Sequence, residues 1–254
     1  MTRTLSLLLL LLFPLRGFSQ EATPVIAGDR EDFLTQTELS QIELLKSYYS
    51  LMIGTSHEVV NGCTYYPYHY RSKYKPLLFY GKDRTASITM NGRKFDNIIL
   101  QYDTFTDEVI FSEIENAYNK NLYQISLNKD IIKSFSFFFR DDTLNFRNMA
   151  KEEFPGPDLA TGFYEVAYDG QSKYIIRHRS VVHNRNGIDE YFYTPAGYVK
   201  IGKEYSRLRS NNQFIKLCGT RSSQMKEIID RNKIKIGKAN KKQIISLLIL
   251  FDSL

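Results

Sequence analysis

Residues 88–111 read ITMNGRKFDNIILQYDTFTDEVIF, and the prediction of the fold starts from this stretch. The dipeptide Asn91-Gly92 suits a two-residue hairpin turn, because both central residues of such a turn need positive φ angles. Closing the turn sets two cross-strand pairs, Met90 with Arg93 and Ile88 with Phe95. The apolar residues on either side therefore predict two neighbouring antiparallel strands.

The same pattern extends from Val59 to Arg209, a region dense in Tyr, Phe and Ile and interrupted by turn residues. A second hairpin is predicted at Asp169-Gly170, with two pairs, Tyr164 with Ile175 and Phe163 with Ile176. Further reversals are predicted at Asn61-Gly62, Asp103 to Asp107, Asp141-Asp142, Asn184 to Gly187 and Pro195 to Gly197. No long helical pattern separates the strands. The predicted fold class is therefore mainly β, with residues 59–209 forming an antiparallel β meander, either a sandwich or an open barrel.

Helical periodicity replaces the strand pattern after Ser210. Gly219 is predicted to end a first helix, Thr220 to cap a second, and Lys241 to begin a third. Their apolar positions fall into three sets: Phe214, Leu217 and Cys218; Met225, Ile228 and Ile229; Ile244, Leu248 and Phe251. Residues 210–254 are therefore predicted to form a small basic helical element packed on the sheet.

The amino-terminal region predicts export. Residues 1–19 combine a basic start, an apolar run of about ten residues and small residues near Ser19, which is the pattern of a secretory signal peptide. Residues 20–58 are predicted to be a leader with a short helix from Thr37 to Met52. The mature protein is expected in the periplasm, at the outer-membrane surface or outside the cell, and no transmembrane segment is predicted in it.

Composition limits the class of protein and reveals an uneven charge. The chain has 254 residues, 43% of them hydrophobic and 24% charged, which excludes disordered and collagen-like classes. Residues 200–243 hold thirteen bases and three acids, whereas residues 20–199 hold nineteen bases and twenty-four acids. The basic stretch suits either an anionic partner or the solvated face of helices, and both interpretations stay open. Export argues against nucleic acid as a partner.

The two cysteines, Cys63 and Cys218, allow two interpretations. In an exported protein they could form a disulfide, which by closing so long a loop would stabilise the fold by about 4 kcal/mol. The helical spacing of Cys218 from Phe214 instead favours a small buried thiol. The sequence leaves the choice open.

Motifs of familiar catalysis are absent: the nucleophile elbow, the phosphate-binding loop and the dinucleotide-binding loop. No cofactor and no metal site are predicted. His178 and His183 lie five residues apart on a predicted strand, so their side chains would point to opposite faces. Asp103, Asp107 and Glu108 bracket a turn without the spacing of a calcium loop, so turn capping explains them. Carboxylate pairs suited to glycoside hydrolysis stay open, because such residues meet only in the fold.

The run from Tyr65 to Arg71, YYPYHYR, is the most distinctive candidate surface. On a strand, Tyr66, Tyr68 and Tyr70 would share one face. They are the predicted binding residues, an aromatic platform for sugar rings or a protein partner. The alternative is ordinary cross-strand packing, since tyrosine is a common sheet former and the chain contains no Trp.

Turn and core motifs recur along most of the chain. They are Asn61-Gly62-x-x-Tyr65, Asn91-Gly92-x-x-Phe95, Leu100-x-Tyr102-Asp103, Asp107-x-Val109-Ile110, the stretch from Gly162 to Gly170, and the tail from Phe214 to Leu254. In this combination the chain resembles uncharacterised exported proteins of Bacteroidota, from about residue 45 to the end. The resemblance implies a fold and a compartment. It implies no catalytic residues, because the family has no assigned reaction.

The sequence as a whole predicts an exported cell-envelope protein that acts as a non-enzymatic binding or structural module. Its expected partners are a glycan, an envelope protein or an anionic lipid. Two alternatives remain: a hydrolase acting on glycan or cell-wall substrates, and a polyanion or membrane-surface binder acting through residues 200–243. Several titratable groups converging in one deep pocket would favour the enzyme.

Overall fold

A computed structural model describes residues 41, 59, 61–79, 84–112, 124–140, 142–151 and 159–254. The predicted signal peptide at residues 1–19 lies outside these residues. Apart from residue 41, so does the helix predicted from Thr37 to Met52.

The described residues form thirteen strands followed by three α-helices. The strands are β1 (Gly62–Thr64), β2 (Arg84–Met90), β3 (Arg93–Asp103), β4 (Glu108–Ser112), β5 (Gln124–Leu127), β6 (Ile132–Phe138), β7 (Thr143–Met149), β8 (Gly162–Asp169), β9 (Lys173–Arg177), β10 (Ser180–Arg185), β11 (Ile188–Tyr193), β12 (Ala196–Lys200) and β13 (Tyr205–Arg207). The helices are α1 (Asn211–Leu217), α2 (Ser222–Arg231) and α3 (Lys241–Ser253).

Eleven of these strands form one antiparallel sheet in the order β1-β5-β4-β3-β2-β6-β7-β8-β9-β12-β13. The remaining two, β10 and β11, form a separate two-stranded hairpin. Neighbouring strands of the large sheet pair antiparallel, and most of them are also neighbours in sequence. The predicted antiparallel, mainly β fold with a small helical element at its carboxyl end is therefore confirmed.

The hairpin predicted at Asn91-Gly92 is confirmed to the residue. Its central residues have φ angles of 49° and 74°, as a two-residue turn of this kind requires. Both predicted pairs are present, Met90 with Arg93 and Ile88 with Phe95. Local turn chemistry thus determines this part of the sheet.

The register predicted at Asp169-Gly170 is wrong by two residues. Glu165 faces Ile176 and Val166 faces Ile175, because three residues connect β8 to β9 and β8 carries an irregularity between Val166 and Tyr168. The Asp252 carboxylate of α3 holds this longer turn. It accepts hydrogen bonds from the backbone N–H of Ser172 at 3.1 Å and from the Tyr168 hydroxyl at 2.9 Å.

The reversal predicted at Asn61-Gly62 is not found, because Gly62 does not lie in a turn. Gly62 instead opens the edge strand β1, which pairs with β5 through Gly62 and Leu127. The two backbones approach so closely there that a β carbon at residue 62 would lie 1.9 Å from the carbonyl oxygen of Ser126. Glycine at this position therefore serves strand packing between segments distant in sequence.

The sheet curls around an aromatic core. The turn between β3 and β4 contacts the start of β8, where the Phe163 N–H donates to the Asp107 carboxylate at 3.4 Å, although β3 and β8 are four places apart in the sheet. The rings inside are Tyr102, Phe135, Phe137, Phe146 and Phe163, all fully or almost fully buried. Phe135 and Phe146 stack with their ring centroids 4.6 Å apart.

A second core joins the helices to the sheet. Phe214, Met225 and Leu248 of the three helices pack with Ile176 and Val199 of the strands. Gly219 follows α1 with a φ of 57° and ends it as predicted, whereas Thr220 lies in a 3₁₀ turn and does not cap α2. The three helices thus pack on the sheet through this core.

The two cysteines are free thiols in different surroundings. Cys63 is exposed on β1, whereas Cys218 is buried beside α1, where burial raises the pKa of its thiol to about 11. We expect one thiol to react with Ellman's reagent in the native protein and two in denaturant, because the thiolate is the reacting form. A Cys63→Ser variant should show no rapid native reaction. Two slow thiols in the wild type, or none after denaturation, would contradict this arrangement.

Candidate functional site

The three tyrosines predicted as a platform do not lie on a strand. β1 ends at Thr64, and the chain from Tyr65 to Tyr70 follows it outside the strands. Tyr66 and Tyr70 are 84% and 74% exposed, while the Tyr68 ring packs edge-on against Tyr191, with centroids 4.7 Å apart. The shared strand face is therefore wrong. A role of these residues in binding stays a prediction.

Tyr68 is held by the turn between β3 and β4. Its hydroxyl donates to the buried Asp103 carboxylate at 2.5 Å, and Tyr65 donates to the same oxygen at 3.0 Å. The other Asp103 oxygen accepts from the backbone N–H groups of Phe105 and Thr106. Burial and the Asp103 charge raise the pKa of both tyrosines. Turn capping by Asp103 is thus confirmed.

A cavity of about 570 Å³ opens beside this turn, against the β10–β11 hairpin. We call it the aromatic cleft. Its wall includes Tyr74, Pro76, Leu77, Tyr191, Phe192 and Tyr193. Its floor is polar, because the Thr104 hydroxyl lies 2.7 Å from both the Pro76 carbonyl oxygen and the Ser180 hydroxyl. The cleft thus combines apolar aromatic walls with a few fixed polar atoms, the usual composition of a ligand site.

Backbone pairing fixes the walls of the aromatic cleft. The Tyr191 N–H donates to the Lys73 carbonyl oxygen at 3.0 Å, so the segment before Tyr74 runs beside β11. The Lys73 ammonium also donates to the Glu190 carboxylate at 3.0 Å. These contacts bring Tyr74 within 5.9 Å of the Phe192 ring, measured between centroids.

A second cavity, of about 500 Å³, lies between the sheet and the helices. We call it the inner cavity. Tyr193 lines both cavities. The other polar residues in its wall are Glu165 of β8, His178 after β9 and Lys241 at the start of α3, and Tyr174, Ile176 and Ile244 are among the rest. Five titratable groups, those of Glu165, Tyr174, His178, Tyr193 and Lys241, therefore line this cavity.

Four of these groups form a continuous hydrogen-bonded chain. His178 Nε2 lies 2.8 Å from a Glu165 carboxylate oxygen, and His178 Nδ1 lies 2.5 Å from the Tyr193 hydroxyl. The Lys241 ammonium donates to the other Glu165 oxygen at 2.9 Å. Glu165 and His178 are buried, at 3% and 7% exposure. We call the series Lys241, Glu165, His178 and Tyr193 the relay.

Charge and burial act in opposite directions on the relay. Burial raises the pKa of Glu165, but hydrogen bonds and charge from His178 and Lys241 outweigh it, so the pKa lies below its ordinary value. Glu165 is therefore a carboxylate at neutral pH. Burial and the Glu165 charge raise the pKa of Tyr193, which is a neutral phenol. The same two causes raise the pKa of Tyr174 to about 12.

The convergence of titratable groups in the inner cavity is the feature that the sequence analysis names as favouring an enzyme, and the relay can polarise a hydroxyl group. Its described wall nevertheless lacks the pair of carboxyl groups of a glycosidase. A carboxylate that orients an imidazole against a hydroxyl is the arrangement used to activate hydroxyl groups. Glycoside hydrolysis needs a second carboxyl group across the substrate. Glu165 is the single carboxylate in the inner-cavity wall as far as the structure describes it. Nor do the described residues include a group of three or more His, Cys, Asp or Glu able to hold a metal ion.

Sequence reasoning missed the relay because the predicted register between β8 and β9 is wrong and because Lys241 is distant from Glu165 in sequence. Glu165 faces Ile176, so His178 lies diagonally across from Glu165 on the same face. In the predicted register Glu165 would face Tyr174, two residues further from His178. A connection of three residues between β8 and β9, instead of two, would have revealed the pair Glu165 and His178. Lys241 lies 76 residues from Glu165, and no local pattern connects them.

No known protein family, curated protein or solved structure matches the chain. Within the described ranges, no helix is long and apolar enough to cross a membrane.

Proposed function

We propose that this chain, which resembles uncharacterised exported proteins of Bacteroidota, is an exported cell-envelope binding module and that it binds a glycan in the aromatic cleft. The observation that carries the proposal is the cleft itself, an aromatic cavity bordered by fixed hydrogen-bonding groups. Export rests on the amino-terminal sequence, residues 1–19.

A sugar ring matches the chemistry of the aromatic cleft. Such a ring has an apolar C–H face and a rim of hydroxyl groups. Tyr74 and Phe192 offer faces for the former, and the hydroxyl oxygens of Thr104 and Ser180 keep lone pairs that can accept from the latter. The wall is also accessible, since Phe192 is 40% exposed and Tyr193 is 51% exposed.

The alternative of a polyanion binder through residues 200–243 has less support. Lys241 belongs to the relay, and Arg221 donates to the Phe251 carbonyl oxygen at 2.8 Å, so both help to hold the helices. Arg231 pairs with Glu227 at 2.5 Å on the exposed surface of α2, which offsets its charge.

Replacing Phe192 tests the aromatic cleft. We expect Phe192→Ala to weaken glycan binding by about tenfold, because one stacking face is lost. The matched control is Phe138→Ala, since Phe138 is equally exposed, at 42%, and lies outside both cavities. Binding is measured by calorimetry on soluble oligosaccharides selected from a panel that includes cell-wall and outer-membrane glycans.

Testing variants on the same panel distinguishes the aromatic cleft from the binding surface predicted at Tyr66, Tyr68 and Tyr70. A Tyr66→Ala variant that loses binding, with Phe192→Ala unaffected, would move the site to the Tyr66 surface. Absence of binding to every glycan in the panel would reject the proposed function.

A further inference from the structure

The hydroxyl of Tyr193 ends the relay and faces the inner cavity, where its hydrogen-bonding role depends on its neighbour. A neutral imidazole has one donor and one acceptor nitrogen. Since Nε2 lies against the Glu165 carboxylate, it carries the proton, and Nδ1 accepts the proton of the Tyr193 hydroxyl. In this state Tyr193 offers only oxygen lone pairs to a ligand.

Protonation of the imidazole reverses this arrangement. Both nitrogens of an imidazolium are donors. Nδ1 then donates to the Tyr193 oxygen, and the Tyr193 O–H becomes free to donate into the inner cavity.

The charge of the inner cavity changes in the same step. The Lys241 ammonium pairs with two carboxylates, the buried Glu165 at 2.9 Å and the half-exposed Asp142 at 3.6 Å. Tyr174 is a neutral phenol. A proton added to His178 therefore makes the charge of the inner cavity more positive by one, which favours an anionic substituent over a neutral one.

We infer that the inner cavity is a second ligand subsite whose preference changes with pH: it takes a hydroxyl-bearing substituent when His178 is neutral and a carboxylate-bearing one when His178 is protonated. This rests on the proposed function for the ligand class, a sugar, and adds that sugar acids are favoured at low pH. Protonation of His178 transfers one proton from solvent to Nδ1, and no covalent bond of the protein is broken.

The test compares a neutral gluco-oligosaccharide with the glucurono-oligosaccharide of the same length. In the wild type we expect the affinity ratio of acid to neutral sugar to rise about tenfold from pH 8 to pH 5, as one charge-assisted hydrogen bond replaces a repulsive contact. Tyr193→Phe should abolish this change, because it removes the hydroxyl and keeps the ring. His183→Gln is the matched control, an exposed histidine on the same hairpin, and should keep the change.

A measurement without ligand keeps the inference separate from the proposed function. Nitrogen NMR of the four histidines should show His178 protonated at Nε2 in its neutral form, with an Nδ1 signal that moves in Tyr193→Phe. Binding with a pH-independent ratio overturns the inference and leaves glycan binding intact. Absence of any binding rejects the proposed function and with it the ligand preference of the inner cavity, whereas a neutral His178 protonated at Nδ1 overturns the inference alone.

Discussion

Phe146→Ala is expected to lower the free energy of unfolding by about 3–5 kcal/mol, the usual cost of deleting a buried aromatic ring. Phe146 is 2% exposed, and its ring stacks on Phe135 at 4.6 Å. It also lies 5.2 Å from the His178 ring, measured between centroids. The cavity left by the substitution would therefore open beside both the aromatic core and the relay.

Chemical denaturation at neutral pH measures this effect. Phe138→Ala on the neighbouring strand is the control, because its exposed ring should change the free energy of unfolding by less than about 1 kcal/mol. Equal losses for the two variants would show that Phe146 is not part of a packed core.

Lys241→Met is expected to lower the free energy of unfolding by about 2–3 kcal/mol. Removing one partner of a buried ion pair costs more than this, but solvent reaches Lys241, whose side chain is 27% exposed. The loss arises because the Glu165 carboxylate keeps its burial and has only His178 left as a partner in the relay. Lys242→Met, at the exposed neighbouring position, should leave stability unchanged within about 0.5 kcal/mol.

The pH dependence of stability gives a second measure of the same variant. The pKa of Glu165 is lowered in the folded protein, so its stabilising contribution is complete above the ordinary value of 4.5 and is lost as pH falls below it. In Lys241→Met that pKa should rise, because burial is opposed by fewer hydrogen bonds. The acid loss of stability should then begin at a higher pH than in the wild type. An unchanged acid profile would mean that Lys241 does not act through Glu165.

Local signals in the sequence were sufficient for much of the fold. Asn91-Gly92 determined the turn and the pairing of β2 with β3 nearest to it, from Met90 to Ile88, whereas an irregularity between Ala86 and Ile88 shifts the register beyond. Helical spacing placed Ile244, Leu248 and Phe251 on the buried side of α3, where they pack in the second core. In each case the interacting residues are close in sequence.

The parts that could not be predicted depend on contacts between distant segments. β1 pairs with β5 across some sixty residues, although Asn61-Gly62 has the local chemistry of a hairpin. The candidate site needed the β8–β9 register, where a three-residue turn competed with the local preference of Asp169-Gly170. It also needed Lys241 beside Glu165, which only the packing of α3 on the sheet provides.

The contact of Asp252 with the β8–β9 turn has a consequence for the order of assembly during translation. The carboxylate that holds Ser172 lies eighty residues further along the chain. A nascent polypeptide therefore carries β8 and β9 well before it carries the side chain that secures their connection. The contact that secures the β8–β9 connection can therefore form only after α3 has been synthesised, later than the strands of the aromatic core.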